Sequence, residues 1–331
     1  MDRRTALKGL AAVIGGSFVP YHLLASPMPR FNRHTGWQYD PLSIARYVRK
    51  NDKPFVTQQN QYIKGTGKGK KAFLHLALER VTGRKFKPHK QGTADCVSHA
   101  AGLGVDILAA VQIAIKRMPQ KWTFEAATEP IYWGSRVEIG GGPRRGGSRG
   151  HWAAEWLQKY GVLHRQKYPG GFDFTSYSAS KANEYAYSGC PDALEPIAKL
   201  HPVKKAAICR TYEELCDLIY NGSAVMVCSN VGFGSKSEER DSEGFLSRQR
   251  KPWMHSMLFA GYDDEYRRPG ALCFNSWGSK WVYGPTRGPQ PSGTFWVDTA
   301  TVTAMLKQGD SFAFSAYHGF PRIHIPPYIL R

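Results

Sequence analysis

The chain has 331 residues, 42% of them hydrophobic and 21% charged, which excludes a disordered chain and supplies apolar mass for one large domain or two lobes. A formal net charge of +19 favours an anionic surface or an acidic partner. The Lys and Arg residues are dispersed rather than gathered in one dense run, so nucleic acid is not the expected partner.

In chain order, "MDRRTALKGLAAVIGGSFVPYHLLASP" places Arg3-Arg4 before a short apolar stretch at residues 10–25. It resembles a twin-arginine export signal over residues 1–26, so the chain is expected to be exported, periplasmic or extracellular, without a stable membrane span. Residues 27–84 are basic and interrupted by Pro27, Pro29, Pro41 and Pro54; they read as an N-terminal extension or a pro-segment. Within them "PLSIARYVRKN" and "KAFLHLALERVTG" predict short helices. The richest basic stretch, "KGTGKGKK" (64–71), predicts a loop; no Ser or Thr follows its Gly-Lys, as a phosphate-binding loop requires.

The run "VSHAAGLGVDILAAVQIAIK" (97–116) is apolar all round, which predicts a buried central helix. "TFEAATEPIYWGSRVE" predicts a further helix, "IGGGPRRGGSRG" a Gly-rich loop, and "HWAAEWLQKYGVL" an amphipathic helix stopped at Gly161. "YPGGFDFTSYS" predicts loop. "TYEELCDLIYNG" opens on a Thr cap with Glu214 three residues on. Thereafter "SAVMVCSNVGFG", "MHSMLFAGYDD", "GALCFNSWGSKWVYG" and "GTFWVDT" predict short strands parted by Gly, Pro and Asp. An α+β fold follows, with a helical lobe at about 85–200 and a β lobe at about 201–331.

The six cysteines form no CxxC pair and no zinc-type spacing, so no metal is implied. Cys96 stands where the buried helix begins. A thiol attacks as thiolate, and the partial positive charge of a helix start favours that anion. The chemistry then needs an imidazole to take the proton and a third group to hold the ring. His255 on a strand and Asn275 at a strand end supply both. His99, one turn from Cys96, is a rival base, and Asp263 or Asp264 a rival orienter. Asp95 either raises the thiol pKa or caps the helix.

The order "QGTADC", "MHSMLFAGYD", "NSWGSKW" resembles the papain-like cysteine peptidases, as a distant member, over about residues 85–300. The departures are a five-residue step from Gln91 to Cys96 where the family has six, Val97 where a Trp usually follows the nucleophile, and Ala94-Asp95 for Gly-Ser. The resemblance implies a papain-like two-lobe fold with a cleft between lobes, a catalytic domain over 85–331, and a polypeptide substrate. It implies Cys96 as nucleophile, His255 as base then acid, Asn275 as orienter, and Gln91 with the Cys96 N–H as oxyanion donors. Trp277 would shield the His–Asn contact. Gly141-Gly142, or its rival Gly146-Gly147, would bind substrate backbone. No cofactor is implied. The same chemistry on a non-protein amide such as a cell-wall peptide, or an inactive binding protein that keeps the fold, are the other readings.

Overall fold

The computed structural model describes residues 35–142, 145–234 and 238–317; the leader at residues 1–26 lies outside them. The first elements are helix α1 (Pro41–Lys50), strand β1 (Lys71–Phe73) and helix α2 (His75–Thr82). Helix α3 (Cys96–Ala114) follows, then α4 (Thr128–Gly134), which runs into one π turn, and α5 (Gly150–Lys159). A two-strand ribbon joins β2 (Lys167–Tyr168) to β3 (Phe172–Asp173) and is followed by two short helices, α6 (Ala179–Glu184) and α7 (Glu195–Ala198). Strand β4 (Val203–Ile208) and helix α8 (Tyr212–Tyr220) lead into β5 (Val225–Ser229), β6 (Gly232–Phe233) and β7 (Arg248–Gln249). The last elements are β8 (His255–Asp263), β9 (Gly270–Phe274), β10 (Thr294–Asp298), α9 (Thr299–Leu306) and β11 (Phe312–Tyr317).

Seven strands make one antiparallel sheet in the order β10-β9-β8-β5-β11-β4, with β1 paired to the far end of β8. A bulge between Phe259 and Gly261 divides β8, whose first half pairs with β5 and whose second half pairs with β1. Helices α2, α4 and α5 form the other layer, each packed on α3. Between the layers lies α3, of whose 19 residues only Ile113 and Ala114 are not buried. Glycine permits both contacts. A Cβ on Gly104 would stand 3.2 Å from the Phe314 ring and 3.4 Å from Leu258 of the sheet. One on Gly102 would stand 3.1 Å from Thr128 of α4.

Local sequence accounts for most element ends. Thr211 accepts the N–H of Glu214 at 3.1 Å, and Gly161 leaves α5 at φ +86°. Asp40 caps α1 through the Ser43 N–H at 3.0 Å. Two expected helices begin later than the sequence suggests. Residues 71–73 are drawn into β1 by the free edge at residues 261–263. Residues 123–127 stay extended because buried Asp106 accepts the Ala126 N–H at 2.8 Å and Ala126 bridges His164. The stretch at 168–178, expected as loop, contributes to the β2–β3 ribbon. All six cysteines are free and buried.

The extension is not a separate layer. Tyr47 of α1 packs edge-on to Phe312 at 5.4 Å between centroids, Ser43 Oγ bonds His151 Nε2 at 2.8 Å, and α2 packs on α3. If the Gly104 contact sets the seating of α3, Gly104→Leu should cost about 2 kcal/mol or more through overpacking. Urea unfolding would read this as a lower midpoint at unchanged slope; an unshifted midpoint would show that the layer gap is not set there.

Candidate active site

Cys96 is the first residue of α3 and is fully buried. Burial is the main reason its thiol pKa is pushed up to about 12, and the neighbouring Asp95 carboxylate adds to the rise. The backbone N–H groups of Ser256, Val97 and Cys96 itself pull the other way. The sulfur therefore sits in a nest of helix-start donors and against the N–H of the residue that follows His255. Desolvation thus outweighs the donors and favours the neutral thiol over the thiolate.

His255 opens β8 and Asn275 follows the end of β9, so antiparallel pairing puts both at the same end of these neighbouring strands. His255 Nε2 and Asn275 Oδ1 are 2.8 Å apart. The same oxygen accepts the Ser276 N–H at 2.7 Å, which orients the amide. An oxygen only accepts, so this contact assigns the ring proton to Nε2 and leaves the Nδ1 lone pair as the basic site. Trp277 lies 4.8 Å from the His255 ring between centroids, and Trp253 lies 4.7 Å from Trp277 with Trp281 at 5.1 Å. The imidazole thus works beside an indole wall.

The Gln91 loop is tied to the Asn275 segment by two contacts. The Gln91 N–H donates to the Ser276 carbonyl at 2.8 Å, and Ser276 Oγ donates to Gln91 Oε1 at 2.5 Å. The side-chain amide of Gln91 also donates to the Thr93 carbonyl at 2.9 Å. Asp95 occupies the cap position but makes no cap bond; its carboxylate accepts from Tyr177 at 2.8 Å and lies 3.4 Å from His99 Nε2. The other ring nitrogen of His99 faces His89 at 3.2 Å, so His99 belongs to that cluster. Burial, then the His99 and Arg165 charges, lowers the His89 pKa to about 3. Asp263 pairs with Arg287 at 3.0 Å and Asp264 accepts the Gly69 N–H at 2.7 Å; neither replaces Asn275 beside the ring.

Residues 35–39 run beside the chain segments that lead into His255 and Cys96. The N–H groups of Gly36 and Trp37 both reach the carbonyl of Met254, the residue before His255, at 2.9 and 3.0 Å. Ser148 donates to the Gly36 carbonyl at 2.8 Å and accepts the Gln38 N–H at 2.9 Å. A Cβ on Gly36 would stand 2.2 Å from the carbonyl oxygen of Ala94, two residues ahead of Cys96. Trp37 is 2% exposed, and its indole N–H donates to Asp310 Oδ2 at 2.7 Å. Of the two candidate glycine pairs, Gly146-Gly147 touches this segment: Gly146 accepts from the Gln38 side chain at 2.8 Å, and Gly147 packs on the Gly36 carbonyl. Gly141 and Gly142 instead donate to Val137 and Arg136, at 3.0 and 2.9 Å. Sequence reading missed Trp37, Ser148, Ser276 and Asp310. Only Ser276 carried a signal, as the neighbour of Asn275.

Structural comparison matches solved cysteine proteases. Xylellain, a cysteine protease from Xylella fastidiosa, is 17% identical with a TM-score of 0.58, over 87% of this chain and 98% of that one. Procathepsin B S9 from Trypanosoma congolense is 11% identical with a TM-score of 0.52, over 87% of each chain. No protein-family model matches, and neither does any curated protein. The chain has the papain-like two-lobe α+β fold, as a distant relative in sequence.

A thiol pKa of about 12 leaves roughly one part in 10⁴ as thiolate at pH 8. Iodoacetamide should therefore alkylate Cys96 in the intact chain at least about 100-fold more slowly than glutathione at pH 8. The rate should rise about tenfold per pH unit from 7 to 9 without a plateau. A plateau in that range, followed by peptide mass spectrometry, would mean the sulfur is already ionised.

Proposed function

We propose that this papain-fold chain is a cysteine peptidase. Cys96 attacks a peptide carbonyl while His255 Nδ1 takes the thiol proton. The same proton goes to the leaving amine as the C–N bond breaks. Water, deprotonated by His255, then splits the thioester and releases the acid. Asn275 holds the ring, Trp277 shields that contact, and Gln91 with the Cys96 N–H faces the oxyanion. The observation that carries the reading is the meeting of a helix-start thiol with the N–H following His255, whose ring is bonded to Asn275.

Residues 35–39 fill the space a substrate would need, and we read them as a self-blocking segment of the extension. The rest of the extension, from α1 to α2, belongs to the folded body and stays when that segment leaves. Arg3-Arg4 supports export, and the +19 charge supports holding to an anionic surface or acidic partner. One observation favours an inactive binding protein instead: the full burial of the Cys96 thiol, which raises its pKa. Casein and isolated cell wall, assayed side by side for released amines, separate a peptidase from an amidase acting on cell-wall peptide.

The deciding measurement is labelling of Cys96 by a cysteine-directed epoxide, on the wild-type chain and on Trp37→Ala, which loosens the segment. Labelling should be faster in Trp37→Ala. Adding His255→Ala should slow it about 10²- to 10⁴-fold, and adding Asn275→Ala less. Labelling that ignores His255, or none in any variant, would turn the reading to a binder.

A further inference from the structure

A cavity of about 920 Å³ opens on the flank of α3, walled by α2 and the segment that follows it, by residues 122–125 and by residues 175–177. Neither Cys96, His255 nor Asn275 lines it. Its long wall is one face of α3, from His99 through Leu103 to Asp106. Residues seven apart share a helix face and stand about 10 Å apart along it.

The two ends of this wall carry opposite charge. At one end Asp106 is 2% exposed. Its Oδ1 accepts the Ala126 N–H at 2.8 Å, and its Oδ2 has no hydrogen-bond donor among the described residues. Arg165 also lines the cavity, but its guanidinium is engaged by Glu129 at 2.6 Å and Thr128 at 3.0 Å. Burial, and then the charge of Glu125 at the cavity mouth, raises the Asp106 pKa well above its ordinary value. At the other end the His89 ring faces His99 at 3.2 Å, and exposed Lys87 and Lys90 flank His89 in the chain. Lys85, a further lining residue, is already paired with Glu79 at 3.0 Å. Leu78, Phe86 and Leu103 supply apolar wall.

We propose that this cavity binds a short peptide with both ends free, its ammonium on Asp106 and Glu125 and its carboxylate on Lys87 and Lys90 at the His89 end. Simpler ligands meet only part of the wall. An inorganic anion would meet the lysines and leave the Asp106 oxygen without a donor. A metal or simple ammonium ion would meet Asp106 and leave the apolar wall and the lysines uncovered. A fatty acid would cover the apolar wall and meet the lysines, but it offers no donor to Asp106. A zwitterion with an apolar body answers all three. Three extended residues span roughly 10 Å, the separation of the two ends, so a tripeptide fits. Its ammonium offsets the desolvation that opposes a charged carboxylate at Asp106. Peptide-bond cleavage releases such molecules, so on the peptidase reading the cavity holds product; the binding itself needs no catalysis.

The test is calorimetry on the full chain carrying Cys96→Ala, which prevents turnover. The probes are Ala-Leu-Ala with free ends, its N-acetyl form and its C-terminal amide. The free peptide should bind at least about tenfold more tightly than either of the others. Asp106→Asn keeps an oxygen for the Ala126 N–H and removes the charge. It should abolish the preference over the acetyl form and keep the preference over the amide. Lys87→Gln combined with Lys90→Gln should do the reverse. Equal binding of the acetyl form overturns the ammonium end, and equal binding of the amide overturns the carboxylate end. Preferences that survive both sets of substitutions put the peptide elsewhere and overturn the site, as does no binding at all. Should Asp106→Asn not fold, Glu125→Gln on an exposed side chain takes its place. It should cut the preference over the acetyl form at least about threefold, and an unchanged preference overturns the proposal. A chain that binds the free peptide in this way yet is never labelled at Cys96 keeps the cavity site and loses the peptidase reading.

Discussion

The site is placed by the burial of α3 from its first residue. A helix without a polar stripe must be covered on every side, and here the sheet covers one face through Leu258 and Phe314 while α4 covers another through Thr128 and Ile131. The start of such a helix emerges at the seam between its two covers, and that is where Cys96 lies. The sheet brings His255 and Asn275 together because β8 begins and β9 ends at the same end of the antiparallel pair. One packing requirement therefore brings the Cys96 sulfur to the Ser256 backbone N–H, next in the chain to His255.

The same burial sets the electrostatics. The helix start and three convergent N–H groups favour a thiolate, but full desolvation and Asp95 oppose it more strongly. The balance favours the neutral form of the buried thiol. Residues 36–38 use the carbonyl before His255 and the peptide groups of Ser148, which are the backbone positions nearest the two sides of the seam. The indoles of Trp253, Trp277 and Trp281 hold the other side of the imidazole away from solvent.

Asp310 joins these parts. Its carboxylate fixes the first turn of α5, the ring of His151 and, through Ser43, the helix α1 that follows residues 35–39. A buried carboxylate left without donors would be costly, so the donors around it are ordered together. Three of them come from His151 and Gly150 and the fourth from Trp37.

Much of this was legible along the chain. The all-round apolar run announced a buried helix, Thr211 and Gly161 announced element ends, and the short apolar runs parted by Gly, Pro and Asp announced strands at His255 and before Asn275. Those signals are local: side-chain periodicity and cap chemistry act over a few residues. What failed was set by distant partners. Residues 71–73 became strand because a free edge of β8 was there to pair with them, and residues 123–127 stayed extended because Asp106 took the Ala126 N–H. Nothing local in the sequence told that Gly147 would lie against the Gly36 carbonyl. The sequence by itself determined the two layers, the helix that begins at Cys96 and the strands that carry His255 and Asn275, because hydrophobic pattern is written locally. Tertiary structure alone decided that Trp37 would meet Asp310, since no short-range rule links residues 273 apart and only the packed core brings them within a hydrogen bond.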